Sequence, residues 1–138
     1  MSWLFFAILS AIFASLTAIF GKIGVSKIDS NVATAARSVI MAIAIVGLVI
    51  SQGKFSEIFK FSSSTTIFVI LSAIAGAASW LAYFRALQLG QASQVAPIDK
   101  LSIVFTLVLA ALFLGEKLTI LKVVGIVMIL LGSILVIR

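Results

Sequence analysis

The chain has no cysteine, no histidine and a single proline, and only 10% of its 138 residues are charged. Without thiols or imidazoles it forms no disulfide and offers neither thiolate nor imidazole to a haem or a metal ion, so no cofactor and no metal are expected. Redox catalysis by its own side chains is disfavoured for the same reason. Soluble domains carry about 25% charged residues, and the few present here cannot cover a water-facing surface. One proline and nine glycines leave little material for a disordered tail. The charges are ten basic and four acidic, a net +6. On a soluble protein that excess would point to nucleic acid. In so apolar a chain, with a mean hydropathy of +1.35, basic residues are expected to flank membrane spans instead, and no nucleic-acid partner is expected.

Long apolar runs make up the rest. Trp3 to Gly21, Val32 to Ser51, Thr66 to Leu89, Pro97 to Gly115 and Leu118 to Ile137 each hold 19 to 24 residues. A helical span needs about 20 mostly apolar residues. A closed membrane barrel would instead show alternating segments of about ten residues, and the unbroken IMAIAIVGLVI from Ile40 to Ile50 does not alternate. The expected fold is therefore all-α: a polytopic membrane protein, a bundle of five transmembrane helices, forming a single domain over residues 1–138. The first run lacks a basic leader and exceeds the apolar core of a secretory signal, about 7–15 residues, so it is expected to remain as a span. The connections, such as KIGVSKIDSN from Lys22 to Asn31 and GQASQVA from Gly90 to Ala96, are too short to house a folded module.

Five spans put the two termini on opposite faces. One face carries Lys54, Lys60, Lys117 and Lys122. The other carries Lys22, Lys27 and Arg138, and gains Arg37, Arg85 and Lys100 if residues inside span ends are counted. Because the bias reverses with that choice, the positive-inside rule leaves two expectations open. Either the chain inserts one way, with its carboxyl terminus in the cytoplasm, or it inserts both ways. Dual insertion would allow an antiparallel homodimer, rebuilding the inverted repeat of alternating-access transporters.

An ionisable side chain at a helix centre costs about 2.5–3.5 kcal/mol on insertion scales, so each one inside a span is a candidate functional group. Arg37, Arg85, Asp99, Lys100 and Lys122 hold such positions, and with Lys22 all but Lys122 fall toward one face, converging on one mouth of the bundle. Lys22 and Lys122 are within about one turn of a span end, where a cation can snorkel to the headgroups. Arg37 lies about 8 Å inside its span. Arg85 shares a face with Ala75, Ala78 and Ala82, a spacing of small residues that points it into the bundle.

Asp99 is the foremost candidate. With Ser102, Thr106 and Ala110 it forms a polar or small stripe at three- and four-residue intervals, expected to face inward, whereas Lys100 shares its face with Ile103, Val104 and Leu107. Pro97 suits a first-turn position and disfavours helix at Ala96. A late or broken helix start there would leave free N–H groups beside the charges. Two roles stand open for Asp99: a transport-site carboxylate, or a partner that neutralises Arg85 or Lys100 and locks the fold. Tyr83 is a candidate for a hydrogen bond across helices and, with Trp80 and Phe84, for stacking on a solute. Ser10, Ala14, Thr17 and Gly21, like Ser72, Gly76, Ser79 and Tyr83, have the spacing of close helix contacts, and a cavity wall would use the same residues.

Several segments resemble a known family. In ASQVAPIDKLSIVFTLVLAALFLGEKLTILKVVGIVMILLGSILVI, Ala92 to Ile137, small residues and Pro97 open one span, LGE at Leu114 to Glu116 closes it, and Gly125 and Gly132 mark the last. Together with GAASWLAYFRALQLG from Gly76 to Gly90, GKIG from Gly21 to Gly24 and DSNVATAAR from Asp29 to Arg37, this resembles the EamA-domain family of the drug/metabolite transporter superfamily. The APIDKLS element resembles its short, five-span bacterial and archaeal subgroup. The resemblance implies an integral protein of a prokaryotic cell (inner) membrane and a secondary transporter, often an exporter of metabolites, with its site between two five-span halves. A single five-span chain would then act as a homodimer, or as a heterodimer with a paralogue. The similar four-span multidrug exporters carry an essential acid in their first span. This first span has none before Lys22, so Asp99 would be the intramembrane substitute.

The expected activity is therefore transport of a small metabolite by a dimer, through Asp99, Arg85 and Arg37 with Lys100, Tyr83 and Ser102. The excess of cations points to a substrate bearing carboxylate or phosphate, or to a zwitterion. The alternative is a structural or regulatory membrane subunit that packs against a partner and moves nothing. An intramembrane enzyme is disfavoured, because no span pairs two acids and the chain has neither histidine nor cysteine.

Overall fold

A computed structural model describes residues 2–137. Its regular structure is helical throughout: α1 (Trp3–Gly24), α2 (Ser30–Ser51), a short 3-10 helix (Phe55–Lys60), α3 (Ser63–Leu89), α4 (Ala92–Asp99), α5 (Ser102–Leu114) and α6 (Ile120–Ile137). Helices α1, α2 and α3 are each long and apolar enough to cross a bilayer, as is Ala92–Leu114, which α4 and α5 make together. The apolar stretch of α6, Ile120–Val136, is shorter, about 26 Å long at 1.5 Å per residue. Large side chains such as Ile40, Ile43, Phe105, Phe113 and Leu121 stay exposed. Hydrocarbon accommodates them at no penalty, and it demands that backbone groups bond within the segment, which a helix achieves. The protein is an all-helical, polytopic integral membrane protein.

Helix ends follow capping chemistry rather than hydropathy. α2 begins at Ser30 because Asp29 Oδ1 accepts from the N–H groups of Asn31 and Val32, at 2.8 and 3.2 Å. Ser62 supports the start of α3, its Oγ accepting from the Thr65 N–H at 3.2 Å and its carbonyl from the Thr66 N–H at 2.9 Å. α5 ends where Gly115 takes φ +68°, letting the N–H groups of Gly115 and Glu116 fold back onto the Ala110 carbonyl.

The fourth span departs from the expected boundary of Pro97 to Gly115. Helix α4 begins at Ala92, so Ala96 is helical and Pro97 is interior. The stretch Gly90 to Ala96 is therefore mostly helix, not a connection. Pro97 lacks the N–H that would bond one turn back, and the ladder tightens soon after it. Lys100 bonds to the Pro97 carbonyl (3.2 Å), Leu101 to Ile98 (2.9 Å), Ile103 to Lys100 (3.1 Å) and Val104 to Leu101 (3.0 Å). These three-residue steps satisfy the backbone across the break, as membrane helices with proline commonly do.

The chain forms two compact units, one of residues up to Phe20 with those from Leu89 onward, the other Gly21–Gln88. In the first, α4 packs against α6, and Ala18 and Ser133 are buried. In the second, α2 meets the 3-10 helix, and the buried residues are Val25, Ser30, Thr34, Phe84 and Leu87.

Candidate functional site

In the unit Gly21–Gln88, Arg37 of α2 lies over two aromatic rings of α3. Its guanidinium carbon is 4.2 Å from the centroid of Trp80 and 4.9 Å from that of Phe84. Trp80 and Phe84 are four residues apart and so on one helix face, which presents both to a single cation. Arg37 is half-buried, so each cation–π contact contributes about 0.5–2 kcal/mol, and two rings offset part of the cost of an intramembrane guanidinium. Gly21 backs this arrangement: a β-carbon there would approach Phe84 Cε1 to 3.0 Å and Cζ to 3.2 Å. Arg37 Nη1 is buried and has no hydrogen-bond partner among the described residues. The nearby hydroxyls of α2 turn onto their own backbone, Thr34 Oγ1 to the Ser30 carbonyl and Ser38 Oγ to the Thr34 carbonyl. Tyr83 stands edge-on to Phe84, ring centroids 6.1 Å apart.

At the end of α3 a polar clasp holds the segment between α1 and α2. Gln88 Nε2 donates to the carbonyls of Val25 (3.2 Å) and Ile28 (2.8 Å), while its Oε1 accepts from Arg85 Nη1 at 2.6 Å. Lys22 Nζ donates to the Leu87 carbonyl at 2.7 Å. Lys22 thus binds the end of another helix rather than only snorkelling. Arg85 is exposed, which corrects the expectation that its alanine-lined face points inward. Gln88 is the residue that sequence reasoning missed; its signal was an amide three residues after an arginine on one helix face.

In the other unit, Asp99 and Lys100 sit at the break between α4 and α5 and pair with each other at 3.5 Å. Lys100 is one of the two partners anticipated for Asp99. Because the span opens at Ala92, Asp99 stands about 11 Å along it, deeper than a start at Pro97 implied. Asp99, Ser102 and Thr106 are exposed, whereas Leu101, Val104, Leu107 and Ala110 are half-buried. The three polar members of the stripe are exposed and only Ala110 is half-buried, so the polar residues do not face inward within the chain as expected. Lys122 pairs with Glu116 at 3.7 Å and donates to the Lys117 carbonyl at 3.3 Å, so the LGE turn is closed by local polar contacts.

The sequence pattern of the EamA-like transporter family matches residues 1–138, the whole chain. The chain belongs to the EamA-like transporter family. A Sinorhizobium protein described as an "Uncharacterized transporter in cobO 3'region" is 47% identical over 134 residues, covering 97% of this EamA-like chain and 95% of that protein. No solved structure matches it. Family membership makes this membrane protein a transporter of the drug/metabolite superfamily, and its described helices include four long enough to cross a bilayer and one shorter apolar helix.

Proposed function

We propose that this EamA-like chain is one half of a dimeric secondary transporter that exports a small metabolite across a prokaryotic cell membrane by alternating access, and that it is not an enzyme. The observation that carries this is the broken fourth span, with an exposed Asp99–Lys100 pair about 11 Å along it. Discontinuous membrane helices with charged groups at the break are where secondary transporters bind ions and substrates. An exposed stripe of Asp99, Ser102 and Thr106 is poorly solvated by lipid. A second copy of the chain, or a water-filled path formed with it, supplies what lipid does not. A paralogue in place of the second copy would serve equally.

In this proposal Asp99, Lys100 and Ser102 act at the helix break, and Arg37, Tyr83 and Arg85 are candidate transport groups within the unit Gly21–Gln88. Cations outnumber the lone acid among them, so the solute carries a carboxylate or phosphate or is a zwitterion. Purified protein in liposomes, assayed with labelled amino acids, organic acids and sugar phosphates, should show saturable uptake of at least one class. Asp99→Asn should abolish it. Unchanged uptake by that variant would remove Asp99 from the mechanism, and absence of uptake for every solute would favour a packing subunit.

A further inference from the structure

We infer that Arg37, held against Trp80 and Phe84, is an oxyanion receptor that takes a carboxylate or phosphate group through its guanidinium edge. The inference deepens the transporter proposal and rests on it for the identity of the anion as the carried solute. Three observations combine. The guanidinium is fixed by the two rings, and Gly21 allows Phe84 its position. Nη1 is buried yet lacks an acceptor among the described residues. Finally, no acid of its own unit forms an ion pair with it among the described residues. Asp29 is engaged in capping α2 through Oδ1. Glu57 follows the far end of α2, whose last residue Ser51 is about 21 Å along the helix from Arg37.

An arginine cannot shed its proton in a protein, so a buried, unanswered N–H of a permanent cation calls for an anionic acceptor. Guanidinium edges favour oxyanions because two parallel N–H groups match two oxygens, a match that chloride does not offer. Both rings lie close to the guanidinium carbon, and the N–H groups of Nη1, which have no acceptor among the described residues, are the donors left for an oxyanion. Lipid phosphate and a water-borne solute share this chemistry.

The site carries its own reporter. The chain has two tryptophans, Trp3 and Trp80, so Trp3→Phe leaves Trp80 alone beside Arg37. That protein, in nanodiscs of phosphatidylcholine, should show a saturable change in Trp80 emission with inorganic phosphate and with acetate, but not with sodium chloride at equal ionic strength. Arg37→Gln should remove the response. Arg37→Lys, which keeps the charge and loses the fork, should weaken binding by about tenfold or more, and it covers the case in which the Gln variant fails to fold. If phosphatidylglycerol in the nanodisc evokes the change and phosphate displaces it, the receptor stands with lipid as its source. A silent Trp80, an equal response to chloride, or undiminished binding by Arg37→Lys would overturn the inference. Liposome transport with a silent Trp80 defeats the receptor alone, whereas a saturable response without transport defeats the transporter proposal alone.

Discussion

Replacing Gln88 by leucine should loosen the hold of α3 on the segment that joins α1 to α2. The side chain makes two neutral hydrogen bonds, to the carbonyls of Val25 and Ile28, and one charge-assisted bond from Arg85. Neutral bonds contribute about 0.5–1.5 kcal/mol each and charged ones about 1.5–3 kcal/mol. Arg85 is exposed, which reduces its bond to the low end or below. Leucine forfeits all three and leaves carbonyls beyond the end of α1 without their acceptor role filled, so the expected loss is about 2–3 kcal/mol. Glutamate in place of Gln88 separates the parts, because it keeps the acceptor for Arg85 and has no donor for the carbonyls. It should still lose about 2 kcal/mol. Reversible unfolding in mixed micelles, driven by dodecyl sulfate and followed by circular dichroism, measures both. A loss below about 0.5 kcal/mol for both variants would show that the clasp contributes little and refute the reasoning.

Other substitutions probe separate features. Gly21→Ala places a methyl 3.0 Å from the Phe84 ring, which is only 2% exposed, so it should destabilise by about 1–2 kcal/mol and shift Trp80 emission. A neutral or stabilising result in the same unfolding assay would mean that Phe84 gives way freely. Gly115→Ala must adopt φ +68° and should lose about 1–2 kcal/mol by thermal melting in detergent; an unchanged melting temperature would contradict the left-handed cap. Asp29→Ala removes the two N-cap bonds of α2 and should lose about 1 kcal/mol, with Asp29→Asn retaining most of it. Equal losses in both would implicate charge rather than capping, as read from the two melts.

The membrane setting and the helices were readable because hydrocarbon imposes a single rule, that long apolar stretches bury their backbone bonds internally. Helix starts were less so. Asp29, Ser62 and Thr119 are polar residues ahead of the apolar runs, and capping extends α2 and α3 beyond what hydropathy marks. Pro97 was misplaced because a proline favours a first turn in isolation, yet a membrane helix tolerates it inside by tightening locally. Arg37 and Asp99 were picked out as charges inside spans, but their surroundings were not. Trp80, Tyr83 and Phe84 are candidates in the sequence for stacking on a solute, and it took the crossing of α2 with α3 to set Arg37 upon Trp80 and Phe84.

By itself the sequence determined that this chain lives in lipid, that it is helical, which family it resembles, and which side chains share a helix face. Those properties depend on local composition and on the 3.6-residue period alone. Only the tertiary structure decided what each face meets. Asp99, Ser102 and Thr106 stay exposed rather than facing inward, Arg85 bonds to Gln88 on an exposed surface, and Arg37 rests on two rings. Periodicity gives the angle between residues on one helix, whereas the direction of that face in space is set by how helices pack, a long-range property that no single segment encodes.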